Sequence, residues 1–447
     1  MIRIWQLPLA LAFLLLSPAL AQDVCAEPAP PPQPVPDAPL VMPEEYRIGL
    51  FDGVWQTVAE LYLHEDYGGV DWDAVQEEFA PYFLQTENAW EVYELLDEMV
   101  DLLDDPLTTF LSPLILEERA AQEATYGGIG ALLDRSYALV EGEGLRVVYV
   151  FPDSPAEEAG LRGRDRIIAV ESDPCPNVEL IRGPEGTSVT LLVTSPGQEP
   201  RELIIERRTI EPRILPGYTR LEGAPAVGYL RLVSLSGEET LQHTEEALRE
   251  LADGLPLEGL VIDLRGTRLG APGVLLSVLG HFVEGEVGSF YARVGDTPVE
   301  VEASELKGAL DGVPLVVLVD EATEGEAEQL AAILKDQGRA QVVGRPSEGR
   351  THGVRNIDFI DGSVLQLVVV GFRLPDGTKL ERRGVTPDVV MDVDWVDYPE
   401  ADDPYLAAAS ELLGGEPDDT IGGVEADDVE ADDDGGDNEA GDDAEVE

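Results

Sequence analysis

Residues 314–336 read Pro314-Leu315-Val316-Val317-Leu318-Val319-Asp320-Glu321-Ala322-Thr323-Glu324-Gly325-Glu326-Ala327-Glu328-Gln329-Leu330-Ala331-Ala332-Ile333-Leu334-Lys335-Asp336. The unbroken apolar run up to Val319 is the pattern of a strand buried on both faces, and the stretch from Glu326 to Asp336 reads as a helix. Thr323 followed three residues later by Glu326 resembles a capping box, so Thr323 is expected to cap that helix rather than to do chemistry. A buried strand feeding a helix is the repeating unit of an α/β core.

The same alternation extends to both sides. Val227-Gly228-Tyr229-Leu230 and Leu260-Val261-Ile262-Asp263 are further short apolar runs, with helical stretches near 238–252, 271–284 and 325–337. An α/β core domain is therefore expected over residues 211–398. Upstream, residues 121–210 carry short β-branched runs between glycine and proline turns, such as Val147-Val148-Tyr149-Val150 and Ile167-Ile168-Ala169-Val170. They predict a small, mostly β domain. Residues 44–120 have helical spacing: Phe51, Val54, Trp55, Val58 and Leu61, then Trp90, Tyr93, Leu96 and Val100. Asp105-Pro106 is expected to stop the second of these helices.

The ends differ in composition. Residues 1–21 have the basic, apolar, small-residue order of a secretory signal peptide, with cleavage expected between Ala21 and Gln22. The apolar run is too short for a stable membrane span. A secreted or periplasmic location follows. Residues 22–43 are proline-rich and read as an extended linker. Residues 399–447 form an acidic tail expected to be disordered, and from Glu416 to Glu447 it holds 16 acidic residues and no basic one. Without those acids the formal charge changes only from −61 to −45. Such a surface repels nucleic acid and anionic membranes. The two cysteines, Cys25 and Cys175, could pair in an exported chain, and no cysteine or histidine cluster has metal-ligand spacing. No cofactor is implied.

Particular motifs sharpen this outline. Gly127-Gly128-Ile129-Gly130 precedes Ser154-Pro155-Ala156-Glu157-Glu158-Ala159-Gly160-Leu161 and Asp165-Arg166-Ile167. The combination resembles a PDZ domain of the bacterial protease type. In such a domain the glycine turn offers backbone N–H groups to a terminal carboxylate, and the adjoining strand pairs with an extended peptide. Gly127, Gly128, Ile129 and Gly130 are thus the expected peptide-binding residues. The eleven residues from Glu171 to Ile181 include Pro174 and Pro176, so the helical wall of the groove is expected to be short.

Over residues 44–395 the chain resembles the C-terminal processing (tail-specific) serine peptidases. The resemblance rests on Leu103-Asp104-Asp105-Pro106-Leu107-Thr108-Thr109-Phe110-Leu111, Ile262-Asp263-Leu264-Arg265 and Arg383-Gly384-Val385-Thr386-Pro387-Asp388. It implies a multidomain α+β fold with a helical N-terminal segment, a PDZ-like β domain and an α/β core of the Clp-protease/crotonase type. It also implies a serine–lysine dyad, with the serine at the start of a helix that follows a buried strand and a desolvated lysine as its base. Glu328 and Asp336 align with the family's glutamate and aspartate. The nucleophile position is then Gly325, and the lysine position is Arg350. Glycine has no attacking group, and arginine stays protonated. Val354 stands at a position often glutamine. In the oxyanion loop Thr267-Arg268-Leu269-Gly270 only Gly270 remains.

Ser347 and Thr351 flank the lysine position in an expected loop. His352 is expected to be an exposed loop histidine. Glu324, Glu326 and Glu328 are assigned to the helix dipole and solvation. The resemblance therefore implies a homologue without hydrolytic function, binding peptides or protein C-termini or scaffolding an active peptidase relative. The rival reading is a serine endopeptidase with a relocated nucleophile.

Overall fold

The computed structural model describes residues 41–414, apart from 118–119, 121–125, 135–143, 211–212, 222–223 and 254. The expected signal peptide, nearly all of the proline-rich linker and the tail beyond Gly414 lie outside the described residues. So does Cys25; Cys175 carries a disulfide.

Helices α1 (Glu44–Leu61), α2 (Trp72–Gln85) and α3 (Ala89–Asp101) form the N-terminal unit. Asp71 and Asn88 cap α2 and α3 by accepting N–H groups in their first turns. The apolar faces read from the sequence meet in one cluster with Val54, Val58, Phe83, Val92, Leu96 and Met99. That cluster is closed by a sheet the sequence reading did not anticipate. Strand β1 (Thr109–Leu111) pairs with the long β19 (Val364–Arg373), which also pairs with β18 (Gly353–Asp358) and the hairpin strand β14 (Gly285–Ala292).

The PDZ-like unit has the strand order β3 (Ala131–Asp134), β4 (Leu145–Val150), β5 (Arg166–Val170), β7 (Ser188–Thr194), β8 (Arg201–Glu206). Short strands β2 (Tyr126–Gly127) and β6 (Gly183–Pro184) pair beside it. Ser154 caps the one-turn helix α4 (Pro155–Glu158). The wall of the groove, α5 (Val178–Ile181), is also a single turn, as the two prolines before it imply.

In the core the sheet runs β20 (Val389–Val390), β17 (Ala340–Gly344), β16 (Leu315–Val319), β12 (Gly259–Asp263), β10 (Ala224–Arg231), β9 (Gly217–Leu221). All neighbours are parallel except β9. Helices α6 (Glu238–Ala252), α7 (Pro272–Leu279) and α8 (Glu326–Asp336) cover one face. Leu315, Val317 and Val319 point to these helices, while Val316 and Leu318 point the other way. Burial on both faces explains the uninterrupted apolar run.

The second face corrects the expectation of a disordered tail over 399–414, the part of 399–447 that lies among the described residues. Its cover is Trp395 together with helix α9 (Pro404–Leu412), whose Tyr405 is fully buried. Asp403 caps α9 through the N–H groups of Tyr405 and Leu406. A strand apolar on both sides demands two covering layers, and the acidic composition around 400 hid the second one.

Candidate active site

The C-terminal ends of β10, β12 and β16 converge where α8 begins, which is where α/β sheets present their ligands. Two buried charge clusters build this edge. In the first, Asp263 at the end of β12 receives Arg265 Nε (2.9 Å) and Nη2 (2.6 Å), and Arg231 Nη1 (3.0 Å). Burial alone would raise its carboxyl, but the Arg265 and Arg231 guanidiniums hold it well below the usual carboxylate range. Arg265, itself fully buried, reaches Asp403 at 2.9 Å, and its guanidinium lies 4.3 Å from the Trp395 ring centroid. This assigns a role to the Ile262–Arg265 motif: it ties the strand end to α9.

The second cluster centres on Glu328. Its fully buried carboxylate accepts from Ser347 Oγ (2.5 Å), Gly349 N (2.7 Å), Arg350 N (2.8 Å) and Gly325 N (3.2 Å). Burial raises its pKa and these donors pull it back. One carboxylate thus fastens the start of α8 to the loop carrying Arg350. Here the sequence reading is corrected. Gly325, not Thr323, is the N-cap, and Glu328 is the third-position glutamate that reaches back to it. Thr323 is buried two residues upstream, where its hydroxyl lies 3.0 Å from the Leu264 carbonyl and from Asp320.

Gly325 has φ 64° and ψ −125°, a conformation nearly reserved for glycine. A Cβ there would meet only the Arg350 carbonyl oxygen, at 3.9 Å, so the position has room for a side chain. Arg350 is half exposed. Its guanidinium pairs with Glu324 (3.2 Å) and Glu348 (2.6 Å). Glu324 also lies 3.5 Å from Arg268, which reaches Asp134 on β3 at 3.0 Å. A chain of alternating charge, Asp134–Arg268–Glu324–Arg350–Glu348, therefore crosses from the PDZ-like sheet over the start of α8. Gly270, on the short strand β13 (Leu269–Gly270), faces Glu326 so closely that a Cβ would fall 2.3 Å from its Oε2. Burial pushes the Glu326 carboxyl up, and among the described residues no cation pairs with it.

The other hydroxyls near the site are committed. Ser347 Oγ donates to Glu328 and accepts from Val385 N (2.9 Å). His352 is not the exposed loop residue expected: its side chain is 4 % exposed and lies beside Glu381. The closing motif staples the opposite end of α8, since Asp388 binds Lys335 (2.7 Å) and Val342 N (2.8 Å).

The PDZ-like unit docks against this edge through Arg146–Asp394 (2.7 Å), Arg164–Asp403 (2.6 Å) and Arg166–Asp397. Its glycine turn lies at the start of β3, the edge strand. Gly128 N–H is already used, donating to the Arg208 carbonyl (2.9 Å). Gly130 has φ 84° and packs on Ser154, whose Cβ would be 2.3 Å from a Cβ at 130. Of the four expected peptide-binding residues, Gly128 is thus internally paired.

Comparison with known proteins places these features. The family model for peptidase family S41 matches residues 226–391, that for the tricorn protease C1 domain residues 43–101, and that for the PDZ domain residues 146–195. A carboxyl-terminal-processing protease of Picosynechococcus is 28% identical over 374 residues, covering 80% of this chain and 87% of that protein. Together these matches support the C-terminal processing peptidase family with a PDZ domain. An Arabidopsis relative, chloroplastic carboxyl-terminal-processing peptidase 2, is likewise 28% identical, over 76% of this chain and 68% of its own. The solved photosystem II D1 C-terminal processing protease superposes with a TM-score of 0.59 at 25% identity, covering 79% of this chain and 94% of that one. The helical unit, PDZ domain and peptidase core are therefore those of a C-terminal processing peptidase. Among the described residues no helix is long and apolar enough to cross a membrane.

Proposed function

We propose that this chain is an exported member of the family that binds peptides or protein C-termini, or scaffolds an active peptidase, without cutting. The observation that carries the reading is the pair Gly325 and Arg350. The first offers no nucleophile at the head of α8. The second offers a guanidinium, already paired with Glu324 and Glu348, where a neutral amine is needed. Glu326 against Gly270 adds to it, because a carboxylate there opposes the negative charge that an oxyanion hole must stabilise. Ser347 and Thr323 are buried and held by internal hydrogen bonds, which counts against a nucleophile relocated to either of them. Export follows from the signal-like residues 1–21. Treating residues 22–447 with a serine-directed covalent probe and weighing the intact protein tests the proposal. No mass increase is expected, and a stoichiometric adduct would overturn it.

A further inference from the structure

Away from the head of α8, helix α3 lines a recess that has no part in the reading above. Trp90, Tyr93, Glu94 and Asp97 stand at i, i+3, i+4 and i+7, so one side of α3 carries two aromatic rings and two carboxylates. Phe110 of β1 and Ile115 just beyond it form the opposite wall. The recess is about 270 Å³ including its open mouth, less than the roughly 300–1,000 Å³ of a small-molecule site and suited to a single side chain. Its shape is fixed from within. Trp90 Nε1 donates to Glu94 Oε1 (2.8 Å), Tyr93 stacks on Phe110 with ring centroids 6.2 Å apart, and the Tyr93 hydroxyl donates to Asp361 Oδ2 (3.0 Å).

Asp97 is the group left without a counterpart. Among the described residues its half-buried carboxylate accepts no hydrogen bond and pairs with no cation. Burial, followed by the like charges of Asp101 and Glu98, pushes its carboxyl up to about 6. Such a carboxylate has lost hydration without gaining a donor. A cation brought to it restores what burial removed, and aromatic rings attract the same charge through their electron-rich faces. We propose that this recess binds the ammonium end of a lysine side chain presented by another polypeptide, with Asp97 as counter-ion and Trp90 and Tyr93 as aromatic walls.

Charge and supply identify the occupant. The chain's own three lysines are engaged elsewhere: Lys307 with Asp311, Lys335 with Asp388, and Lys379 over the Tyr291 ring. A net charge of −61 draws basic partners toward the molecule and keeps acidic ones away. Glu94, beside Trp90, and Asp361, at the end of Tyr93, add to the negative field at the recess. A lysine carries its charge as a compact head on a slender stem, which suits an opening for one side chain better than a planar guanidinium does. The recess belongs to the helical unit. It stands apart from Gly325 and Arg350, and the proposal holds whether or not the chain cuts peptides.

Titration of residues 22–447 with N-acetyl-lysine methylamide, and separately with its norleucine counterpart, tests this. The second compound has the same four-carbon stem without the ammonium. Salt at about 0.15 M, with a Debye length of ~8 Å, screens the general field of the body. The lysine compound should bind at least roughly tenfold more tightly, the effect of one charge-assisted contact. Asp97→Asn should remove most of that preference, and Asp73→Asn, at an exposed acid on α2, should leave it intact. Equal binding of the two compounds, a preference that Asp97→Asn leaves untouched, or an equal loss in Asp73→Asn overturns the proposal. Should Asp97→Asn fail to fold, the indole N–H resonance of Trp90 in the unsubstituted protein decides. A shift with the lysine compound and none with the norleucine compound supports the site; no shift with the lysine compound, or the same shift with both, refutes it.

Discussion

Replacing Asp403 by alanine should be among the most damaging single changes in the molecule, although it lies where the sequence turns strongly acidic. Its carboxylate is 1% exposed and does three things at once. It pairs with Arg265 (2.9 Å), pairs with Arg164 of the PDZ domain (2.6 Å), and caps α9. Breaking a buried pair and leaving its partner charged costs about 3–5 kcal/mol, and losing a cap costs about 1 kcal/mol more. A cost of about 4–6 kcal/mol, at roughly 2–4 °C per kcal/mol for a domain of this size, lowers the melting point by about 10–20 °C. Calorimetry on Asp403→Ala beside Asp402→Ala isolates the effect, since the exposed neighbour should stay within about 0.5 kcal/mol of wild type. Equal, small shifts for the two variants would refute the account of α9 as the second cover of the core sheet.

Three other outcomes are expected. Gly325→Ser should fold, losing about 1–3 kcal/mol for a side chain at φ 64°; melting curves and a peptidase assay check this, and turnover restored by that change alone would contradict the role given to Arg350. A peptide ending in apolar residues and a free carboxylate should bind the PDZ domain at least tenfold more tightly than its C-terminal amide, because charge-assisted hydrogen bonds contribute about 1.5–3 kcal/mol; equal affinities in a titration would make the domain structural. Deleting residues 416–447 should leave the melting point nearly unchanged at 1 M salt, where the Debye length is ~3 Å, while the full chain gains stability as salt rises; a large drop on deletion would mean that this segment docks on the body.

The elements built from local signals were legible in the sequence. Leu315–Val319 carried its burial in its composition, and α6 begins and ends where the spacing put it. What escaped depends on contacts distant in the chain. Nothing near Thr323 announces that its hydroxyl serves Asp320 and Leu264, so the capping pattern misled, and the cap passed to Gly325 with Glu328. His352 looked like a loop residue because its neighbours His64 and Glu381 come from the other end of the chain and from the turn after β19. The signal for α9 was present, since Asp403-Pro404 is a cap followed by a first-turn proline. It was outweighed by the surrounding acids. The sequence proposes Gly325, Arg350 and Gly270 as site positions, whereas the charges that close over the start of α8, from Asp134 to Glu348, required the fold.

The proposed function requires that Gly325 and Arg350 leave the head of α8 without a nucleophile and its base. Incubating residues 22–447 with a disordered protein substrate and with an unstructured peptide ending in apolar residues, from mildly acid to alkaline pH, tests it most directly. The account predicts no cleavage above the buffer control at any pH. Turnover that follows the protein through purification and disappears on substitution of one of its own residues would contradict it.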